Sequence, residues 1–439
     1  MKVQRNPPAG GSGNVRLLLT RLRGSAGVRA GAILAAATIA LNASAYAYNV
    51  ACIRYLGSSR YADVAAMLAL FALVSLPLGS VQSLLAREVA QLHNNEAVAQ
   101  LLRKSVIRAS SVGLVMLLVG FVLVDPIKAA LNVESRAVAL AGLSGILFAV
   151  VAAILYGFLQ GLLRFRQLSA VYALGGLFRP VLVVPVLLAG LGSAGALAVN
   201  TVAGLVAVAL CAWGLRDFWS GRIPADPVQL DRREVGVLVV GSLAFASLTN
   251  VDILLAAYYF PGDVAGVYAA AALVGKAVLF LPAAVVTVLL PKAASRVAAG
   301  LTAQKILLAS AAATFLVAIT ATVALAFVPE RLLVWAFGGD FREATGLLAW
   351  FGLAMTAAAL VNVYLSVYFA ERDARFPLLV LAAAVVQVVV VVAWHPDLRS
   401  IVLVTLMCAG GVLLLHEIAF PHALVRAWRA RRLRAAPSG

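Results

Sequence analysis

Twelve apolar stretches of about 20 residues run along this chain, and they determine the solvent in which it folds. A helix needs about 20 residues to cross the hydrocarbon core of a bilayer. The composition agrees, because 63% of the 439 residues are hydrophobic, 12% are charged and the mean hydropathy is +0.99. A soluble protein could not bury that much apolar surface, so the sequence predicts an integral membrane protein. The predicted spans are 30–52, 62–85, 105–124, 137–156, 168–189, 193–215, 235–259, 264–290, 306–328, 344–370, 376–394 and 401–420.

The predicted fold class is all-α, a polytopic membrane protein with twelve transmembrane helices in two six-helix lobes. The spans are rich in Ala, Leu and Val, and they lack the alternating pattern of membrane β-strands. When the second half of the sequence is laid on the first, all six spans repeat in register. This indicates a parallel repeat about an axis along the membrane normal. Two such lobes leave a cavity between them, and rocking of one lobe against the other gives alternating access.

The segment 216–234, with Pro224, Pro227 and mixed charges, separates the two halves of the sequence. No connection between spans is long enough for a catalytic domain, and no nucleotide-binding or hydrolase motif occurs, so we do not expect an enzyme. The predicted organisation is a basic cytoplasmic N-terminus (1–29), a first lobe (30–215), a cytoplasmic linker (216–234), a second lobe (235–420) and a basic cytoplasmic tail (421–439).

The net charge of +17 follows the topology of the chain. With an even number of spans both termini lie on one side, and most Lys and Arg residues outside the spans fall on that side. The positive-inside rule makes it the cytoplasm, which predicts a multi-pass protein of the inner (cytoplasmic) membrane. The basic termini are expected to contact anionic membrane lipids rather than nucleic acid.

The cysteines give no sign of a metal site or a disulfide. Cys52, Cys211 and Cys408 lie within or at the ends of apolar spans, without a CxxC motif or a Cys/His cluster. They are predicted to fill space in the helix packing, and neither a metal nor another cofactor is expected.

Charged residues inside the spans are the candidates for function. Each costs about 2.5–3.5 kcal/mol at the bilayer centre, so one without a role is rarely kept there. Arg179 and Lys276 fall near the middle of the fifth and eighth spans, and Asp252 lies in the outer half of the seventh. Glu417 is close to a span end, where its side chain is expected to reach the headgroups.

The functional interpretation of these charges is a cationic cavity between the lobes. Arg179 and Lys276 would hold an anionic group, since Arg offers a bidentate fork and Lys a mobile point charge. Asn250, just before Asp252, and Arg54, at the outer end of the first span, complete the predicted substrate-binding set.

Two other interpretations of Asp252 stay open at this point. An ion pair between Asp252 and Lys276 could merely hold the seventh and eighth spans together. Alternatively, Asp252 could be a proton or sodium site that couples transport to an ion gradient. Pro180 and Pro282 are candidates for gating because a proline in a span permits bending, although a static kink is an equal alternative.

Two stretches resemble one family. The run from Arg54-Tyr55-Leu56-Gly57 and Tyr61 to Ala86-Arg87-Glu88-Val89-Ala90 is similar to the first two helices of the polysaccharide flippases of the MOP (multidrug/oligosaccharidyl-lipid/polysaccharide) superfamily. The run from Asn250-Val251-Asp252-Ile253-Leu254-Leu255, through Gly266-Val267-Tyr268 and Gly275-Lys276, to Leu281-Pro282 looks like helices seven and eight of the same branch.

The resemblance implies a flippase for a polyprenyl-pyrophosphate-linked oligosaccharide, as used in lipopolysaccharide O-antigen, capsule or exopolysaccharide synthesis, with a glycan polymerase as a possible partner. The pyrophosphate would need the cations Arg179 and Lys276. The fourteen-helix lipid II flippases of the superfamily have more spans and more cavity arginines than this chain.

Two alternatives remain. A MATE-type drug/cation antiporter shares the two-lobe fold, but its cavity should be net acidic. A membrane glycan polymerase or ligase has similar hydropathy, but it needs a long external loop with arginines.

Overall fold

The computed structural model describes residues 25–92, 94–219, 232–297 and 303–420, and the regular structure of these residues is helical. Twelve long helices in chain order correspond to the twelve predicted spans. They are α1 (25–56), α2 (58–91), α3 (Asn95–Val122), α4 (Arg136–Gly161), α5 (Phe165–Leu188), α6 (Gly192–Gly214), α7 (Arg232–Tyr259), α8 (Gly262–Val297), α9 (Ala303–Ala326), α10 (Thr345–Ala370), α11 (Arg375–Ala393) and α12 (Leu398–Ala419).

A single glycine separates the first two spans. Helical structure runs from Ser25 to Gln91, and only Gly57, with φ 74° and ψ 178°, departs from helical geometry. Positive φ is strained for residues with a Cβ, so glycine makes this corner at low cost. The Tyr61 hydroxyl on α2 donates to the Asn49 side chain on α1 at 3.2 Å, so α2 folds back beside α1. The sequence predicted a longer connection, 53–61, where the structure has one non-helical residue.

The two lobes pack in the same way. In the first lobe, α4 packs on α3 and α6, α5 packs on α6, and the α1–α2 unit packs on α4 and α5. Helices α7 to α12 of the second lobe correspond to α1 to α6 of the first lobe, and they make equivalent contacts. There, α10 packs on α8, α9 and α12, and α11 packs on α7 and α12. Short helices at equivalent places, Val124–Ala130 and Glu330–Phe337, follow α3 and α9. The predicted fold class, two six-helix lobes related by a parallel repeat, is confirmed.

Pairs of glycines let helices approach each other closely. Gly157 and Gly161 on α4 lie against the backbone of α2, and Gly262 and Gly266 on α8 lie against the corner at Ser58. A Cβ at Gly266 would overlap the carbonyl oxygen of Ser58. Lipid is as apolar as a leucine side chain, so membrane helices associate through such close packing rather than through the hydrophobic effect.

The lobes meet along the four helices α1, α2, α7 and α8. The Tyr46 hydroxyl on α1 donates to the Leu273 carbonyl on α8 at 3.0 Å. The hydroxyls of Ser80 on α2 and Ser242 on α7 are in direct contact. The interface therefore pairs α1 with α8 and α2 with α7, as a twofold repeat requires.

Parts of the predicted domain organisation lie outside the described residues. These are residues 1–24 of the basic N-terminus, residues 220–231 of the linker and the tail from residue 421. The predicted lobe boundaries stay predictions.

Substituting alanine for Gly266 tests the lobe interface. The new Cβ would press on the Ser58 backbone, which cannot rotate away as a side chain can. Overpacking of this kind costs about 1–3 kcal/mol, so we expect a lower temperature of thermal unfolding in detergent. The control is Gly410→Ala on α12, where a Cβ meets no atom within 4 Å and the unfolding temperature should not fall. An unchanged unfolding temperature for Gly266→Ala would show that the corner at Ser58 does not pack directly against α8.

Candidate functional site

Arg179 lies in a cavity inside the first lobe. The cavity has a volume of about 210 Å³ and is bounded by α1, α2, α4, α5 and α6. Its polar lining consists of Arg179, Tyr156, Tyr172, Gln82 and Asn200, with Ser75 at one side. We call it the lobe-one cavity.

The Arg179 guanidinium has no hydrogen-bond or ion-pair partner among the described residues. Its Nε atom is fully buried and unbonded. A buried charge without a partner is strongly unfavourable, because water no longer solvates it and no acid compensates it. The cavity therefore presents a positive charge without a partner among the described residues, in the central part of α5.

Other polar groups of the lobe-one cavity hold one another in place. Gln82 donates to Gln160 at 3.1 Å and to the Tyr172 hydroxyl at 3.2 Å. Asn200 donates to the Tyr48 hydroxyl at 2.8 Å. These bonds link α2, α4 and α5 on one side of the cavity and α1 with α6 on another. None of these bonds reaches the guanidinium of Arg179.

Lys276 on α8 bonds to Asn250 on α7. Its Nζ donates to the Asn250 side-chain oxygen at 2.8 Å, and the Asn250 amide nitrogen donates to the Ala246 carbonyl at 2.8 Å. The amide is thus oriented with its oxygen towards the ammonium. A neutral oxygen solvates Lys276 without cancelling its charge.

Asp252 is buried in the second lobe, where its charge and that of Lys276 act on each other. Its carboxylate is 0% exposed. The Tyr268 hydroxyl on α8 donates to Oδ2 at 2.9 Å, while Oδ1 is buried without a partner. Both Asp252 and Lys276 are described, and no direct ion pair joins them. The two residues interact through their charges without a direct contact, and the interpretation of this pair as a link between the seventh and eighth spans stays open.

Gln387 on α11 is a second buried group with an unpaired oxygen, and sequence reasoning missed it. It is 0% exposed, and its nitrogen donates to the Thr405 hydroxyl at 2.8 Å. Its Oε1 has no partner. Gly241 on α7 lies against Pro377 on the parallel helix α11. Asp252 follows Gly241, and Gln387 follows Pro377, by nearly the same number of residues. The two side chains therefore lie at about the same depth in the lobe.

A cavity of about 570 Å³ lies between the lobes at one end of the bundle. We call this end the Arg87 end and the cavity the interlobe cavity. Glu234, at the start of α7, has a side chain that is 5% exposed and binds Arg87 of α2 at 2.6 Å and Arg372 of the α10–α11 connection at 2.9 Å. One carboxylate thus joins guanidinium groups from both lobes. Leu279 and Phe280 line this cavity one helical turn beyond Lys276.

The opposite end of the bundle, the Gly57 end, has different chemistry. A cavity of about 560 Å³ there is lined by Asp63, Glu134 and Asp340. Asn132 donates to the Ala257 carbonyl at 2.9 Å, which joins the lobes by a bond to the backbone. Arg54 donates to the Trp335 carbonyl at 3.4 Å. Among the described residues, no group of three His, Cys, Asp or Glu side chains is placed to hold a metal ion.

The predicted site residues fall at three places. Arg179 lines the lobe-one cavity, and Asn250 pairs with Lys276 between α7 and α8. Arg54 lies at the Gly57 end, about 20 Å along α1 from Leu41, which lines the lobe-one cavity. The structure therefore does not bring Arg54 to Arg179, and none of the three cavities formed by described residues is lined by both Arg179 and Lys276.

The predicted gating prolines lie beside these places. Pro180 follows Arg179 within α5, and Pro282 is buried in α8 just past Leu279. Their roles stay predictions. Two residues of α2 were not predicted to be part of the site: Pro77, in the middle of the helix, and Gly79, which lines both the lobe-one and interlobe cavities. A proline and a glycine two residues apart inside a span were the signal for them.

The sequence matches no protein-family model and no characterised protein. The fold is nonetheless similar to solved structures. The lipid II flippase MurJ in an inward closed conformation superposes with a TM-score of 0.67 and 13% identity, over 88% of this chain and 87% of that one. An inward-facing multidrug resistance MATE transporter gives 0.64 and 15% over 85% and 93%, and an outward-facing MATE transporter gives 0.58 and 16% over 94% and 98%.

These similarities define the class of the fold. The chain has the two-lobe fold that MOP-superfamily transporters share, and it is a multi-pass membrane protein. At such low identities the fold is what the comparison shows, and the residues of the site have to be interpreted by themselves.

A disulfide between the lobes tests the geometry of the Arg87 end. The hydroxyls of Ser80 and Ser242 touch, so cysteines at both positions would lie within bonding reach. We expect the double variant Ser80→Cys, Ser242→Cys to form a disulfide under mild oxidation, detected as a linked peptide pair by mass spectrometry. Each single variant is the control and should stay reduced. Two free thiols in the oxidised double variant would contradict the α2–α7 pairing.

Proposed function

We propose that this protein is a flippase that moves a polyprenyl-pyrophosphate-linked oligosaccharide across the cytoplasmic membrane by alternating access between its two lobes. The observation that carries the proposal is the guanidinium of Arg179, which lines the lobe-one cavity without a partner among the described residues and has a fully buried Nε. The two-lobe transporter fold supplies the framework in which such a charge can meet a substrate from either side.

The charge of Arg179 selects an anionic substrate. A guanidinium binds phosphate oxygens through two parallel hydrogen bonds, so a pyrophosphate would satisfy the group that the protein leaves unpaired. Lys276, held by a neutral amide, stands one helical turn from the interlobe cavity and adds a second positive charge. A protein that transported cations only would gain nothing from an unpaired Arg179.

Alternating access requires the lobes to separate at one end at a time. At the Arg87 end this breaks the contacts of Arg87 with Glu234 and of Ser80 with Ser242. At the Gly57 end it separates the corner at Ser58 from Gly266. The distribution of basic residues makes the Arg87 end cytoplasmic, so we assign the interlobe cavity to the side on which the lipid-linked glycan is made.

Ion coupling is assigned to Asp252. A carboxylate with one unpaired oxygen, at the same depth as the unpaired oxygen of Gln387, offers two acceptors in the interior of the second lobe. A proton on Asp252, or a sodium ion between oxygen ligands, would satisfy them. Binding would then change the packing of α7 against α11 and α8.

A MATE-type cation antiporter is the second candidate, and the Gly57-end cavity favours it. The carboxylates of Asp63, Glu134 and Asp340 line that cavity, and they could attract a cationic substrate. Arg60 partly offsets them, since its Nε lies 3.9 Å from Glu134. The two candidates differ in the group that substrate must contact: Arg179 for the flippase and the carboxylates for the antiporter.

Removing either central cation tests the flippase. We expect Arg179→Ala and Lys276→Ala each to abolish glycan export while protein levels stay normal. Arg179→Ala removes from the pyrophosphate a charged hydrogen bond worth about 1.5–3 kcal/mol, and Lys276→Ala removes the second positive charge, one helical turn from the interlobe cavity. Export is measured as surface glycan in cells whose own gene for this protein is deleted. The conservative variants Arg179→Lys and Lys276→Arg are the matched controls and should keep partial export. Full export by both alanine variants would falsify the cationic site.

Extrusion of a cationic dye that depends on Asp63 and Asp340 would favour the antiporter.

Replacing Asp252 by asparagine tests the coupling. The amide keeps the size and the hydrogen bond with Tyr268 but cannot take up a proton or attract a cation. In proteoliposomes, we expect Asp252→Asn to lose transport driven by a proton or sodium gradient by about tenfold or more, while counterflow without a gradient continues. The control is Glu417→Gln, at a span end. The same gradient dependence in the variant and the wild type would remove Asp252 from the mechanism.

A further inference from the structure

Helix α2 is the wall between the lobe-one cavity and the interlobe cavity. One face of the helix, with Phe71, Ser75, Leu78 and Gln82, lines the lobe-one cavity. The adjacent face, with Leu76, Ser80, Ser83 and Arg87, lines the interlobe cavity. Gly79 lies on the border and lines both cavities.

The wall has no side chain at Gly79. A Cβ built there meets no atom within 4 Å, so both cavities extend up to the backbone at this residue. Pro77, two residues earlier, removes a helical hydrogen bond and allows α2 to bend at the same place. Glycine destabilises a helix relative to alanine. At position 79 it leaves the border between the two cavities free of a side chain.

The two cavities differ in chemistry. The lobe-one cavity contains the unpaired charge of Arg179. The charges at the mouth of the interlobe cavity are paired, Arg87 with Glu234 and Glu234 with Arg372. Its other polar groups are neutral hydroxyls and an amide: Ser80, Ser83, Ser242, Ser366 and Asn362. One cavity is thus suited to an anion and the other to an uncharged group rich in hydroxyls.

The volumes of the two cavities fit the same assignment. Pockets for drug-sized ligands have volumes of about 300–1,000 Å³. The lobe-one cavity, at about 210 Å³, is smaller than that range and suits a compact group, while the interlobe cavity, at about 570 Å³, falls within it.

We propose that the two cavities form one divided binding site joined at Gly79. The pyrophosphate lies against Arg179 in the lobe-one cavity, and the sugars extend past Gly79 into the interlobe cavity, where their hydroxyls pair with the serines and Asn362. This inference rests on the proposed function and adds to it the place of each part of the substrate.

The linear order of the substrate, lipid then pyrophosphate then sugar, has a consequence for the lipid tail. If the sugars leave the lobe-one cavity past Gly79, the tail leaves it between other helices, such as α1 and α5, whose Leu41 and Gly175 also line the cavity. A bulkier residue at position 79 should therefore obstruct the sugars but not the lipid.

The test compares two ligands on purified full-length protein in nanodiscs: polyprenyl pyrophosphate without sugars, and the same lipid bearing the oligosaccharide. We expect Gly79→Val to bind the sugar-free lipid as the wild type does and the sugar-bearing lipid about tenfold more weakly or worse. Arg179→Ala should lose affinity for both ligands by about tenfold. The control is Gly411→Val on α12, where a Cβ also meets no atom within 4 Å, and it should bind both ligands normally.

The outcomes separate the two proposals. If Gly79→Val binds both ligands as the wild type does, or loses both alike, the division at Gly79 is wrong while the flippase proposal stands. If the wild type binds neither ligand, or if Arg179→Ala binds both normally, the proposed function itself fails. Gly79→Ala provides a smaller obstruction, and its affinity for the sugar-bearing lipid should fall between those of the wild type and Gly79→Val. Equal unfolding temperatures of all variants confirm that the fold is intact.

Discussion

The packing of the α1–α2 corner against α8 holds the two lobes together. Gly57 turns the chain in one residue, and Gly266 lets the Ser58 backbone come into direct contact with α8. In lipid no hydrophobic force draws helices together, so this close packing and the hydrogen bonds around it set the position of one lobe on the other. The α2–α7 contact at the far end follows from that placement, as does the interlobe cavity beside it.

The two ends of the interface are closed by different interactions. Packing and bonds to backbone carbonyls close the Gly57 end, whereas Glu234 shared by Arg87 and Arg372 closes the Arg87 end. Packed glycines require a fixed approach of two backbones, while long charged side chains can separate and bind again. Transport by rocking lobes uses both, and the ionic contact lies beside the hydroxyl-lined cavity that we assign to the glycan.

Among the described residues, five buried side-chain atoms lack a hydrogen-bond partner, and three of them lie where function is proposed. Arg179 in the first lobe, and Asp252 and Gln387 in the second, each have a buried atom that the protein does not satisfy. Such atoms destabilise the fold, because neither water nor lipid replaces the missing bond. Their placement in different lobes separates the proposed anion site from the proposed coupling site, so the two must communicate through the helices between them.

The sequence by itself determined the helical class, the number of spans, the twofold repeat and the identity of the charged residues inside the spans. These follow from chain length, hydropathy and the cost of a charge in lipid, which depend on local sequence alone. Only the tertiary structure decided that Asn250, rather than Asp252, binds Lys276, that Arg179 has its own cavity, and that Gly79 borders two cavities. The reason is that spans apolar on every side give little sign of which face meets lipid and which meets another helix. The rotation of each helix, and with it every contact between distant residues, is set by packing.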